Sequence, residues 1–212
     1  MSYRVKEIFY SLQGEGAYAG RPAIFCRFEG CNLWTGRRKD IRIAACKFCD
    51  TDFLGVNGVG GGEFKTAAGL AKAILKLWPK QKPHNTRFVV CTGGEPLLQL
   101  DEALIKELHK NGFEIAIETN GTLLPPKGVD WICVSPKAGA RLRLKKGDEL
   151  KLVFPQEGAD PKMFERLQFG HFYLQPMDNR RCKKNTSEAA HYCLKHPRWK
   201  LSLQTQKILG LH

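Results

Sequence analysis

Apolar positions gather in short runs rich in β-branched and aromatic residues, at 23–28, 87–91, 113–118, 131–134, 149–154, 171–174 and 199–203. Each is bounded by Gly, Pro, Asn or Asp, the pattern of short buried strands. Helical spacing of apolar residues predicts helices over 66–78, 101–110 and 187–195, with a short turn at 161–167. Thr66 and Ser187 stand where N-caps belong. Strand, helix, strand, helix, strand implies a parallel sheet with crossover helices. Three strands between 113 and 154 leave little room for helices. The pattern predicts an α/β fold, an abbreviated partial (β/α) barrel of about six parallel strands with few helices. It forms a single domain over residues 1–212, without internal repeat or long linker. Gly58 to Gly62 reads as a flexible loop.

In such sheets ligands gather at the carboxyl ends of the strands. The chemically informative residues fall there, in Cys91-Thr92-Gly93-Gly94-Glu95-Pro96, Glu118-Thr119-Asn120-Gly121, Ser135-Pro136-Lys137 and Gln175-Pro176-Met177-Asp178. Composition agrees with a globular domain, with 42% hydrophobic residues. No apolar run approaches the roughly 18 residues of a membrane span. Residues 1–7 lack an apolar signal core, so a cytoplasmic protein without membrane contact is expected. The formal charge of +13 favours anionic ligands. Its basic residues are scattered in short runs, at 37–39, 141–146 and 180–184. That dispersal favours a solvated surface with one anionic small-molecule site over a nucleic-acid face.

Eight cysteines in such a chain are expected to stay reduced and available to soft metal centres. Cys46-Lys47-Phe48-Cys49 is a C-x2-C pair, which zinc sites, redox dithiols and chance all produce. Three cysteines near one loop are the minimal way to hold a [4Fe–4S] cube with one iron open to a chelating substrate. Cys46 and Cys49 are two of them; Cys31 and Cys26 compete to be the first. Cys31 follows Glu29-Gly30 at the expected strand end, whereas Cys26 lies inside the strand pattern. Cys91, Cys133, Cys182 and Cys193 read as buried small hydrophobes. A second metal site from Cys182, His191, Cys193 and His196 matches no standard zinc spacing.

Thr92-Gly93-Gly94-Glu95-Pro96 after a strand, downstream of Cys46-x-Phe48-Cys49-Asp50-Thr51, resembles the glycine-glycine-glutamate motif of radical S-adenosylmethionine enzymes. Their usual C-x3-C-x2-C spacing is stretched, with fourteen residues, Asn32 to Ala45, between Cys31 and Cys46. The segments Ile8–Gly16, Gly20–Phe28, Cys31–Leu33, Ser135–Lys137, Tyr173–Met177 and the Gln206-Lys207-x-Leu209 tail resemble the 7-carboxy-7-deazaguanine synthase family over nearly the whole chain.

That resemblance implies a ring contraction of 6-carboxy-5,6,7,8-tetrahydropterin to 7-carboxy-7-deazaguanine with loss of ammonia, in queuosine biosynthesis. It implies a [4Fe–4S] cluster on Cys31, Cys46 and Cys49 in a loop at 29–51, S-adenosylmethionine, Mg2+, a reducing electron-donor protein and a homodimer. The cofactor-derived radical would carry the chemistry. S-adenosylmethionine is expected on Phe48, Gly94, Glu95, Glu118, Ser135, Pro136, Lys137, Gln175, Pro176, Met177 and Asp178. The pterin is expected on Leu12, Gln13, Gly14, Glu15, Arg27 and Thr92, and on the terminal carboxylate of His212. Thr51 is the expected Mg2+ ligand. Without the resemblance, Thr51 reads equally as a capping hydroxyl, Arg27 as a surface arginine, Phe48 as a core aromatic and the terminus as a mobile end. The rival readings are an activase acting on a partner protein, which has no reason to carry Gln13-Gly14-Glu15 with Arg27, and a zinc-stabilised RNA-binding protein.

Overall fold

In the computed structural model, residues 2–80 and 87–211 are described. Nine strands form one sheet: β1 (Tyr3–Leu12), β2 (Pro22–Phe28), β3 (Gly62–Phe64), β4 (Arg87–Gly93), β5 (Phe113–Thr119), β6 (Trp131–Val134), β7 (Lys146–Phe154), β8 (Gln168–Pro176) and β9 (Trp199–Leu201). Their spatial order is β3-β1-β2-β4-β5-β6-β7-β8-β9. β1 pairs antiparallel with β2 and β3. From β2 onward every neighbouring pair is parallel, seven strands in all. Helices α1 (Ala67–Leu77) and α2 (Glu102–Lys110) make the crossovers into β4 and β5. α3 (Cys182–Lys195) makes the crossover into β9, and α4 (Thr205–Ile208) follows it. No α-helix separates β5, β6, β7 and β8, so the helix-poor middle predicted from the sequence is present. Both edge strands are three residues long, which limits edge-to-edge association.

Period-two alternation sorts the strand residues onto two faces. Ile24, Cys26, Phe28, Val89, Cys91, Ile115 and Ile117 face α1 and α2 and are buried there with Leu70, Ile74, Leu104 and Leu108. Ala23, Phe88, Val90 and Ala116 form a small apolar plug on the opposite face. A third cluster joins β6 to β9 with α3, through Leu150, Leu152, Leu174, Ala189 and Trp199.

Helix starts follow their capping chemistry in α1 and α2. Thr66 Oγ1 accepts from the Gly69 N–H at 3.1 Å, and Asp101 Oδ1 from the Leu104 N–H at 2.9 Å. The third helix begins at Cys182, not at Ser187 as expected. Asn185 explains the extension: buried, it donates through Nδ2 to the Met177 carbonyl at 2.8 Å and anchors an additional polar turn. Residues 58–62 also depart from expectation. They lie against β1, with Gly58 N donating to Lys6 O at 2.9 Å and Ile8 N to Val59 O at 2.8 Å. Strand β1 itself, whose polar and apolar residues alternate irregularly, was not among the expected elements.

Leu104 is fully buried between α2 and the sheet. Leu104→Ala is expected to lower stability by about 2–5 kcal/mol, seen as a lower denaturation midpoint at unchanged slope.

Candidate active site

The inward face of the sheet changes character along the strands. Below lies the apolar plug; above it the inward positions become polar at Arg27 on β2, Thr92 on β4, Glu118 on β5, Lys151 on β7 and Gln175 on β8. These side chains line a cleft of about 660 Å³ at the carboxyl ends of the parallel strands. Its size suits small-molecule ligands.

The segment after β2 closes one side. Cys31, Cys46 and Cys49 all line the cleft, and all are free thiols. Cys31 Sγ accepts from the Leu33 N–H at 3.5 Å. Burial pushes the Cys31 and Cys49 thiols above their ordinary range, although nearby backbone N–H groups oppose it. Cys26 sits elsewhere, buried in the helix-facing core in register with Cys91. Three soft donors opening into one cleft fit an iron–sulfur cluster. Cys182 and Cys193 lie on α3, outside the cleft lining. Among the described residues no group of three or more His, Cys, Asp and Glu could hold a single metal ion.

Glu95 sits behind the cleft surface. It is fully buried and outside the cleft lining. Its carboxylate accepts from Thr119 Oγ1 at 2.8 and 2.9 Å, from Asn120 N at 2.8 Å and from Leu97 N at 3.0 Å. Burial raises its carboxyl above the usual range, partly offset by those donors. It therefore organises the end of β5, and Asn120 in turn donates to Asn32 Oδ1 at 3.0 Å in the cysteine loop. Gly94 does line the cleft. A Cβ there would lie 2.1 Å from the Gly30 carbonyl oxygen, so only glycine lets this turn meet the backbone beside Cys31.

Phe48, Ser135 and Lys137 line the same side; Pro136 is buried beneath them. Lys137 Nζ donates to Ser135 O at 2.8 Å and Oγ at 2.6 Å, and lies 6.0 Å from the centre of the Phe48 ring. Burial lowers the Lys137 ammonium from its ordinary value, while nearby thiols oppose that. Gln175, Pro176, Met177 and Asp178 line the adjoining wall. The amide oxygen of Gln175 is buried without a partner among the described residues.

Leu12, Gln13, Gly14, Glu15, Arg27 and Thr92 also line the cleft. Arg27 Nε is held by Glu7 Oε1 at 2.8 Å, so it is a cleft residue and not a surface arginine. Glu118 belongs with this group: its Oε1 accepts from Gln13 Nε2 and Lys151 Nζ, both at 3.2 Å, and its Oε2 from Thr92 Oγ1 at 3.4 Å. Thr51 lines the cleft beside Asp50, its hydroxyl 3.5 Å from Asp50 Oδ1. His212 lies outside the described residues; Leu211 before it lines the cleft.

Sequence reading did not single out Cys133, Lys151, Gln204, Gln206 or Lys207 as cleft residues. For Lys151 a signal existed, since charged residues at 149 and 151 alternate with leucines in an otherwise apolar strand.

The model of the radical SAM superfamily matches residues 43–148. The chain is 60% identical to 7-carboxy-7-deazaguanine synthase of Bordetella pertussis and 59% to that of Caulobacter vibrioides, covering 100% of each chain. The crystal structure of QueE from Escherichia coli matches with a TM-score of 0.70 at 26% identity, covering 96% of this chain and 94% of that one. Taken with a cysteine loop and polar side chains that line one cleft at the mouth of a partial parallel barrel, these likenesses place the chain in the 7-carboxy-7-deazaguanine synthase family of the radical SAM superfamily.

Proposed function

We propose that the chain converts 6-carboxy-5,6,7,8-tetrahydropterin to 7-carboxy-7-deazaguanine with loss of ammonia, in the 7-deazapurine branch that leads to queuosine. The observation that supports this most is that the three-cysteine loop and a wall of hydrogen-bonding side chains open into one cleft. Cys31, Cys46 and Cys49 would hold the [4Fe–4S] cluster. The cluster would supply the electron for reductive cleavage of bound S-adenosylmethionine, and with it the radical chemistry at the pterin carbon bearing the carboxylate.

The protein's part is orientation and charge. Gly94, Ser135, Lys137 and the segment Gln175–Asp178 would hold S-adenosylmethionine, with Phe48 beside its adenine. Glu95 and Pro136 would act on it from beneath. The unpartnered Gln175 oxygen offers an acceptor to an amine donor. Arg27 would bind the pterin carboxylate through its planar fork, the guanidinium end beyond Nε being the part that reaches out. Leu12, Gln13, Gly14, Thr92 and Glu118 would read the ring edge, where a carboxylate suits adjacent N–H donors. The terminal carboxylate of His212 would add to that edge. Thr51 would bind Mg2+ together with substrate oxygens and water. A reducing donor protein would supply electrons, and the working unit would be a homodimer. Among the described residues no helix is long and apolar enough to cross a membrane.

Protein purified without oxygen should be brown and, given a chemical reductant, turn the pterin over with no protein substrate present, which neither an activase nor a zinc protein would do. Cys31→Ala is expected to lose iron and absorbance together, while Cys26→Ala keeps both; the reverse result would reassign the first ligand.

Thr51→Ala should abolish stimulation of turnover by magnesium at unchanged iron content. Arg27→Lys, lacking the bidentate fork, should lower kcat/KM by about ten-fold or more in steady-state assays.

A further inference from the structure

Lys151 rises from β7 into the floor of the cleft with only 6% of its side chain exposed. Its ammonium donates to Glu15 Oε2 at 2.5 Å and to Glu118 Oε1 at 3.2 Å. The other oxygen of Glu15 accepts from Gln204 Nε2 at 2.9 Å and Gln206 Nε2 at 3.1 Å, both in the C-terminal segment. Around this carboxylate the same two segments are laced together. Thr205 donates through N and Oγ1 to the Gly14 carbonyl at 3.0 and 2.9 Å. The Gly16 N–H donates to Ser202 Oγ at 2.9 Å. A Cβ on residue 14 would lie 1.7 Å from Gln206 Oε1, so the tail lies flush on the loop.

One buried carboxylate thus joins three parts of the chain: the barrel floor, the loop after β1 and residues 204–206. Burial favours a neutral Glu15, yet the Lys151 charge and the amide donors bring its carboxyl down to about 2. For Lys151, burial works against the ammonium, and the carboxylates around it, Glu118 and Glu15 first, outweigh that. Lys137, beyond β6, is the further cation facing this group. A buried pair of this kind is costly to break from one side, because the remaining charge stays buried.

We propose that Lys151 is a positioning residue for the substrate: acting through Glu15, it fastens the loop 12–15 and the C-terminal segment into one wall of the cleft. The readout in turnover rests on the function proposed above; the readout in tail order does not.

The test uses the anaerobically reconstituted holoenzyme and three variants, Lys151→Met, Glu15→Gln and the double. Glu15→Gln keeps the shape of the knot and removes its charge, and the double removes both charges, so the proposal stands testable if Lys151→Met fails to fold. Hydrogen exchange of residues 205–211, measured without substrate, should quicken about ten-fold or more in each single variant. The KM for the pterin should rise by a similar factor at nearly constant kcat, with iron content and S-adenosylmethionine affinity retained. The double should match the single variants, because groups acting as a unit are not additive. Wild-type KM should be flat between about pH 6 and 9, since Glu15 is ionised throughout that range. In Lys151→Met, Glu15 without its cation takes up a proton more readily, so KM should fall as pH rises. Unchanged tail exchange in both Glu15→Gln and the double would overturn the proposal. So would a KM in the double equal to the product of the two single effects, which would put Lys151 on the substrate directly. If wild-type enzyme fails to turn the pterin over, the proposed reaction falls, and the exchange measurement alone decides on Lys151.

Discussion

A parallel strand has two faces, and in this sheet neither is given to open solvent along most of its length. One face, packed by α1 and α2 at one end and α3 at the other, is largely apolar, with Ile24, Val89, Ile115 and Leu152 all fully buried. The other must be filled near the floor and left functional near the mouth. The chain meets that demand by grading the inward positions: small and aromatic residues such as Ala23, Phe88 and Ala116 below, then Arg27, Thr92, Glu118 and Lys151 above. Everything at the site depends on this register, because a slip of one residue would turn the polar set into the helix-facing core.

The graded interior also explains which features could be read from the sequence. Runs of buried strand residues are dense in apolar character, so the sheet, its parallel sense and its scarcity of helices were legible. Caps worked where a short side chain meets a free N–H, as at Thr66, and failed at α3, where Asn185 reaches a distant carbonyl that sequence spacing does not reveal. The cleft was legible where residues sit at strand ends in recognisable order, as in Gly93-Gly94 and Ser135-Pro136-Lys137. Glu95 was legible as part of a motif but not in its direction, since its partners Thr119 and Asn120 come from the next strand. Lys151 and Gln206 were opaque for the same reason: their meaning lies in partners far along the chain.

The walls of the cleft mix neutral and charged ties. The cysteine loop is held by backbone and amide bonds, such as Glu95 N to Gly30 O at 2.9 Å and Asn120 to Asn32, and at its far end by ion pairs, Lys6 with Asp52 at 2.9 Å and Lys207 with Asp50 at 2.7 Å. Its three thiols are soft donors, and burial raises those of Cys31 and Cys49. Elsewhere in the cleft the ties are charged, with Arg27 on Glu7 and Lys151 on Glu15 and Glu118. Hydrogen bonds to ionised groups are shorter and stronger than neutral ones, which fixes these side chains in place. The basic excess of the whole chain is compatible with this site, because the anionic groups expected here are drawn toward positive potential.

The contacts between residues 202–206 and residues 14–16 span 186 to 191 positions of sequence, against a helix-and-strand framework made largely from nearer neighbours. Closing a loop of that length costs somewhat more chain entropy than closing the nearer contacts. Were these contacts the last to form, the mouth would stay open to bulk while the barrel and the cysteine loop took their arrangement, and an inorganic centre would have an unobstructed route in before the pocket narrowed.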